Sequence, residues 1–303
     1  MTPLQTPRSI PEYLEQLRGA LAGADPALVQ DALYDAEEYL RAELAEHPEV
    51  GEAQMLAGVI AGKYGAPDEV ADIYRVQETT VTRVMRTPPP PPRKSWIGRF
   101  FGVALDPHTY GSLFYMLLAL PLGIFYFTWA VTGVSLSVGL AVLVIGIPFI
   151  ILFVSTVYAL SLVEGRLVET LLGERMPRRP HAPAREGGFW DKVKDILSEP
   201  RTWSTLQYQV LMLPLGILYF TAVVSLLSLS FGLAIGGTAH LLWQAGFIWI
   251  DGLHGAVIQP EWLAPFAWIL IPIGVLLLFV TLHLARGIGR LHGLLAKQML
   301  VRS

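Results

Sequence analysis

The sequence contains no cysteine, and only 16% of its 303 residues are charged. The first absence excludes a disulfide framework and any thiolate-ligated metal site. The second falls well short of the roughly 25% usual in soluble domains and excludes a single water-soluble globule. The shortage is concentrated: from Thr109 to Val163 there is no Lys, Arg, Asp or Glu. Also missing are Gly-x-Ser-x-Gly, a Walker phosphate loop, HExxH and a dinucleotide fingerprint. The chain therefore reads as a non-enzyme with no cofactor and no metal. The amino-terminal MTPLQTPRSIPEYLEQ has no apolar stretch. No cleavable signal peptide is expected, and the first apolar span would serve as the insertion signal.

What is present falls into two parts. Residues 1–80 carry 15 Asp/Glu against 5 Lys/Arg, a balance of −10, whereas residues 81–303 carry 10 against 17, a balance of +7. Mean hydropathy is +0.48, and the apolar excess lies in four segments: Tyr110–Gly133, Leu136–Val163, Leu206–Ile235 and Leu263–Ala285. Each is long enough for a hydrocarbon core that takes about 20 residues of helix. All 22 Lys and Arg lie in 1–99, 166–201 or 286–302. Because basic residues near span ends stay in the cytoplasm, both termini and the middle loop are expected inside. The two tips, a turn at Gly133–Leu136 and a longer connection from Gly236 to Pro265, are expected outside. The setting is then the cell's inner membrane.

The body repeats itself. At an offset of 93, Leu120-Pro-Leu-Gly-Ile-Phe-Tyr-Phe-Thr128 matches Leu213-Pro-Leu-Gly-Ile-Leu-Tyr-Phe-Thr221, Tyr115 matches Tyr208 and Ser135-Leu-Ser137 matches Ser228-Leu-Ser230. Later the offset becomes 124, pairing Ile147-Pro148 with Ile271-Pro272 and Gly165-Arg-Leu167 with Gly289-Arg-Leu291. Two crossings per repeat make the repeats parallel, related by an axis along the membrane normal, which excludes inverted repeats. Each repeat opens with an amphipathic stretch, WIGRFFGVALDP and FWDKVKDILSEP, suited to lie at the headgroups or to pack on the acidic part. Pro121 and Gly123, with their counterparts Pro214 and Gly216, interrupt the spans. Such breaks either let helices pack closely or mark a mid-membrane binding site. Packing is favoured, since no charge is expected nearby to hold an ion or polar substrate. Ser155 and Ser161 can bond to backbone carbonyls of the preceding turn.

The acidic part, residues 1–86, reads as four short helices. Ser9 or Pro11 starts the first, with Tyr13, Leu14, Leu17 and Leu21 on one side. Asp25-Pro26 supplies a cap and a first-turn proline for the second, which ends near His47-Pro48. The third runs from about Gly51 to Tyr64, with Gly65 as its stop. Asp68 and Glu69 open the fourth, with Val70, Ile73 and Tyr74 inward. Asp31, Asp35, Glu38 and Glu43 can stripe one helix face, either solvated or meeting a basic partner. A proline-rich linker, 87–95, holds this head near the membrane body, 96–303, whose repeats span 96–175 and 189–298. The expected fold is all-α: a small soluble four-helix domain plus a polytopic domain of two parallel two-helix repeats with interfacial helices.

Two resemblances follow from these residues. EYLEQLRGAL, DALYDAEEYLRAEL and KYGAPDEVADIY resemble the HAAS domain, the helix-turn-helix-associated α-helical signalling domain, over about residues 9–78. YGSLFYMLLALPLGIFYF, IGIPFI and EGRLVETLLG resemble the "putative sensor" membrane domain of bacterial and archaeal signalling proteins, over about 96–303. Together they imply a bacterial membrane component that signals to a PadR-like winged-helix transcription regulator. Some members join this body to a histidine kinase. Here no kinase or DNA-binding helix is found, so output is expected to pass through the partner, with no direct contact to nucleic acid.

The remaining candidates are weighed on chemistry. His240 and His254, with Asp251 and Glu261, match no standard ligand spacing and read as interfacial residues. His283 reads as a hydrogen-bonded helix-end residue, and His181 sits in a Pro- and Arg-rich linker. The outer insertion, with Trp243, Phe247, Trp249 and Trp262, is either an aromatic anchor or an input surface for a lipid or membrane-active compound. The reading is a membrane sensor whose −10 head complements a basic regulator. The alternatives are an accessory subunit of a transport or lipid-export complex, and a scaffold that forms homo-oligomers in the bilayer.

Overall fold

The structure is a computed structural model of the chain and describes residues 6–62, 64–85, 95–140, 146–177, 198–247 and 264–301. Among these residues there is helix and turn but no strand.

In the head, α1 (Ile10–Ala20), α2 (Pro26–Glu46), α3 (Glu52–Gly62) and α4 (Pro67–Met85) begin and end where local chemistry dictates. Ser9 caps α1 by accepting from the Glu12 amide at 3.4 Å. Asp25 caps α2 by accepting from the Ala27 amide at 2.9 Å, with Pro26 in the first turn. Gly65 turns the chain between α3 and α4 at φ +102°, a conformation in which a side chain would be strained. The core is a cluster of Tyr13, Leu17, Leu21, Ala32, Ala36, Leu40 and Leu56 with no exposed surface, joined by Val70 and Ala71. One expectation is corrected here: Ile73 is 60% exposed. The inner face of α4 is centred on Val70, Ala71 and Tyr74, which leaves Ile73 beyond its edge.

The body comprises a short α5 (Trp96–Phe101) with a 3₁₀ turn (Gly102–Leu105), then α6 (Pro107–Leu140), α7 (Gly146–Leu167), α8 (Pro200–Gln244) and α9 (Ala267–Leu300). α6, α8, α9 and the stretch from Pro148 to Leu172 are long and apolar enough to cross a membrane. A π turn, Val168–Leu172, extends α7 and stops at Gly173, φ +79°. Two expected boundaries shift. The turn predicted at Gly133–Leu136 is helical, because Gly133 serves packing: a Cβ there would run into the Phe153 ring of α7. α8 also continues to Gln244, drawing the first part of the insertion into the helix.

α8 packs along both α6 and α9, while α7 lies chiefly against α6. At the α6–α8 crossing the contact is reciprocal. A Cβ on Gly123 would meet the Met212 carbonyl, and one on Gly216 would meet the Ala119 carbonyl. The two glycines are separated by the 93-residue offset seen in the sequence, and so are the two carbonyl residues, Ala119 and Met212. Pro121 and Pro214 lie on the outward surface of helices that continue through them, two residues before these inward glycines. The α5 stretch rests on α9: the Phe100 carbonyl accepts from His283 Nε2 at 3.0 Å, and the Phe100 and Phe101 rings lie 5.8 and 4.7 Å from Phe279. The prolines of the linker and residues 189–197 of the second amphipathic stretch lie outside the described residues.

Candidate functional site

The apolar body encloses one concentrated polar centre. Tyr115 and Tyr126 are eleven residues apart on α6, three helical turns, so both project from one face toward a point between them. Tyr208 and Tyr219 repeat this arrangement on α8. α7 contributes Glu164, and α9 contributes His292, each 1% exposed. The Glu164 carboxylate receives three hydroxyls. Oε1 accepts from Tyr115 and from Tyr208, the latter at 2.8 Å, and Oε2 accepts from Tyr126 at 3.0 Å. On the far side, His292 Nε2 lies 2.6 Å from the Tyr115 hydroxyl and 3.0 Å from that of Tyr208, while Nδ1 lies 3.3 Å from the Tyr219 hydroxyl.

Burying a carboxylate away from water is costly unless its lone pairs are satisfied, and here three O–H donors do so. The two bridging hydroxyls fix the rest of the proton arrangement. If Tyr115 and Tyr208 both donate to Glu164, neither has a hydrogen left for His292. Nε2 must then carry a proton and donate to a tyrosine oxygen. The centre thus ties α7 to α9 through the two helices that cross between them. This corrects the expectation that no charge lies near the breaks at Pro121 and Pro214. Glu164 is the first residue after the charge-free window, and it folds into the bundle instead of joining the following loop.

A second polar feature joins head to body. Lys297, near the end of α9, reaches Asp25 Oδ2 at 2.5 Å. Arg175, beyond the π turn of α7, lies 4.0 Å from Asp31. Arg201, at the start of α8, faces the Gln30 amide and donates to its oxygen at 3.0 and 3.3 Å once that amide is turned to present oxygen instead of nitrogen. Gln30, Asp31 and Arg201 are buried. The first turns of α2 therefore contact the same ends of three membrane helices. Beside them, Asp106 and Arg286 pair at 3.1 Å and fasten the start of α6 to α9.

The acids singled out in the sequence do not share one open face. Asp31 is in this seam, Asp35 accepts from the Tyr74 hydroxyl at 2.9 Å, Glu38 is exposed, and Glu43 lies 3.9 Å from His47. Of the aromatic residues singled out in the insertion, Trp243 is 53% and Phe247 78% exposed, while Trp249 and Trp262 lie outside the described residues. His240 stands 5.8 Å from the Trp243 ring; His181, Asp251, His254 and Glu261 are also outside. Among the described residues no group of three or more His, Asp or Glu is placed to hold a metal. Ser155 and Ser161 donate to the Ile151 and Tyr158 carbonyls, each at 2.7 Å. Sequence reasoning missed Glu164 and His292. The available signal was the matched pair of tyrosines at an eleven-residue spacing, Tyr115/Tyr126 and Tyr208/Tyr219.

A family model described as "Putative sensor" matches residues 115–300, a stretch that includes every member of the buried centre. The head lies outside that match, so its resemblance to the HAAS domain has no such support. No curated protein and no solved structure matches the chain.

Proposed function

The chain belongs to the "Putative sensor" family, and from that premise we propose that it is a membrane sensor whose head is the output. The observation that carries this reading is the seam: Asp25, Gln30 and Asp31 of one helix meet Lys297, Arg201 and Arg175 on three different membrane helices. A shift of any of these helices alters the seating of the head. The acids that hold the head are of the type that a basic DNA-binding surface would seek. In the seated state Asp25 and Asp31 are taken by the body's own cations. When the seam opens they become available to a partner, for which a PadR-like winged-helix regulator is the fitting class. The termini and the middle loop face the cytoplasm in this reading, as the distribution of Lys and Arg favours.

The test is a pull-down of a PadR-like regulator encoded beside this chain, using the full chain in lipid nanodiscs at low salt. The expected result is stronger capture by Lys297→Glu, which repels Asp25, than by the parent chain. Absence of capture by both would end the proposal of this partner. A tag on the amino terminus that is digested by protease added outside intact cells would end the proposed topology. The second reading, a subunit of a transport complex, draws on the buried Glu164 and His292, since ionisable residues inside membranes often mark a solute or proton path. Solute flux through reconstituted vesicles, absent from empty ones, would favour it.

A further inference from the structure

The polar centre and the seam lie on one continuous piece of chain. Arg175 follows Glu164 by eleven positions, and between them stand the π turn at Val168–Leu172 and the left-handed Gly173. A π turn carries one residue more per turn than the helix around it, and a segment can gain or lose that residue by a local change of register. α7 is otherwise held chiefly by its packing on α6. Its carboxylate grip on Tyr115, Tyr126 and Tyr208 is thus a main tie to the centre of the bundle.

The hydrogen count of the centre leaves one place undetermined. With Nε2–H directed at a bridging tyrosine, His292 Nδ1 either accepts the Tyr219 O–H or carries a second proton and donates to the Tyr219 oxygen. Both arrangements satisfy every group, and they differ by one proton and by one turn of the Tyr219 hydroxyl. In the first the centre has a net charge of −1, on Glu164; in the second it is neutral. The bridging hydroxyls also connect His292 to Glu164. In the second arrangement the proton on Nε2 can pass to the Tyr115 oxygen while the Tyr115 proton passes to Oε1, leaving an imidazole that is neutral with its proton on Nδ1 and a carboxylic acid.

We infer that this centre binds a single proton and that this proton is the input of the sensor. The inference rests on the sensor reading above and supplies its stimulus. The titratable groups that face it are Tyr115 and Tyr126 from α6, Glu164 from α7, Tyr208 and Tyr219 from α8 and His292 from α9. Glu174, packed against Gly293, flanks the His292 turn. Tyr219, whose hydroxyl faces Nδ1, is only partly buried. When the loaded centre passes a proton to Oε1, Glu164 loses the negative charge that draws three hydroxyls around it. The grip on α7 changes, the π turn takes up the displacement, and Arg175 moves relative to Asp31 of the head.

The absence of native cysteine allows a clean test. Spin labels are placed at Glu38→Cys on the head and Leu105→Cys on the body, both exposed positions. The full chain is then examined in nanodiscs of phosphatidylethanolamine and phosphatidylglycerol between pH 5 and pH 8. The label-to-label distance is expected to change across this range with the slope of one proton, and to become flat in Glu164→Gln and in His292→Gln. Tyr219→Phe, a milder change that keeps the ring, is expected to move the midpoint by about one pH unit. It decides the matter if the other variants do not fold. A constant distance in the parent chain, a change that survives both Glu164→Gln and His292→Gln, or an unmoved midpoint in Tyr219→Phe overturns the inference. Lys297→Glu separates this failure from that of the sensor reading. If it alters the distance while pH does not, the seam stands and only the proton input falls; if it alters nothing, the seating of the head falls.

Discussion

The head and the body solve the packing problem in opposite ways. In the head, water drives Leu17, Leu21, Leu40 and Leu56 inward, and the polar residues stay at the periphery, outside this core. Its hydrogen-bonding groups work at the periphery, as caps at Ser9 and Asp25 and as the Tyr74–Asp35 bond. In the body the helices are apolar on nearly every side, so burial alone cannot choose which faces meet. There the choice falls to glycines that admit a neighbouring backbone and to a carboxylate and an imidazole sharing tyrosine hydroxyls. The same contrast explains why a polar centre can be at the middle of the greasier half: in lipid, a polar group has nowhere else to find partners.

The sharpest way to break the comparison is to fill a body glycine. Gly123→Leu or Gly216→Leu drives a side chain into the opposing backbone, which cannot yield as a flexible side chain would. The expected loss is about 3 kcal/mol or more, read as collapse of thermal stability in detergent. Gly232→Ala and Gly236→Ala, which meet nothing within 4 Å, should leave it intact. In the head the comparable change is Leu17→Ala, expected to cost about 2–5 kcal/mol by cavity formation. Hydrogen exchange should then quicken in α1–α4 and leave α6–α9 protected. Next comes Tyr208→Phe, which removes a donor to Glu164 and a partner of His292. A loss of about 1–3 kcal/mol is expected, against about 1 kcal/mol or less for Tyr219→Phe, whose contact is longer and less buried. Equal effects would erase the ranking of bridging over terminal tyrosines.

A smaller effect appears at high pH, and it belongs to the head. Burial, followed by the charge of Asp35, pushes the Tyr64 hydroxyl up from 10.0 to about 12. Burial raises Tyr13 and Tyr74 as well. Because the folded form holds these protons longer than the unfolded chain does, the associated stability is complete below pH 10. It is lost as pH rises from 10 through 12. Exchange in the head should therefore accelerate over that interval, and Tyr64→Phe should lessen the acceleration.

Much of this architecture was legible in the residues, and what was not has physical causes. Asp25-Pro26 and Gly65 act locally, so their roles as cap and turn could be read directly. The four apolar helices follow from length and composition. The end of α6 was misplaced because Gly133 looks like a turn until the Phe153 ring that needs its space is known. Glu164 stands one residue beyond the charge-free window and outside the segment Leu136–Val163, and only tertiary packing brings it among the tyrosines. Asp31 resembled an exposed acid because its cation is far away in the chain, as Lys297 is from Asp25 across 272 positions. Pairings of that range leave no periodic trace.

The claim on which the functional account depends is that the head is seated on the ends of the membrane helices. Hydrogen exchange over Ala27–Asp31, in the full chain within nanodiscs, tests it most directly when the parent is compared with Lys297→Glu. This substitution sets two like charges at a partly buried contact, leaves the Asp25 cap of α2 in place, and lies outside the head. The account predicts exchange about tenfold faster at these amides, equivalent to about 1.4 kcal/mol of lost protection, with the α1–α3 core unchanged. Identical exchange in the two proteins would show that α2 does not rest on the body and would contradict the account.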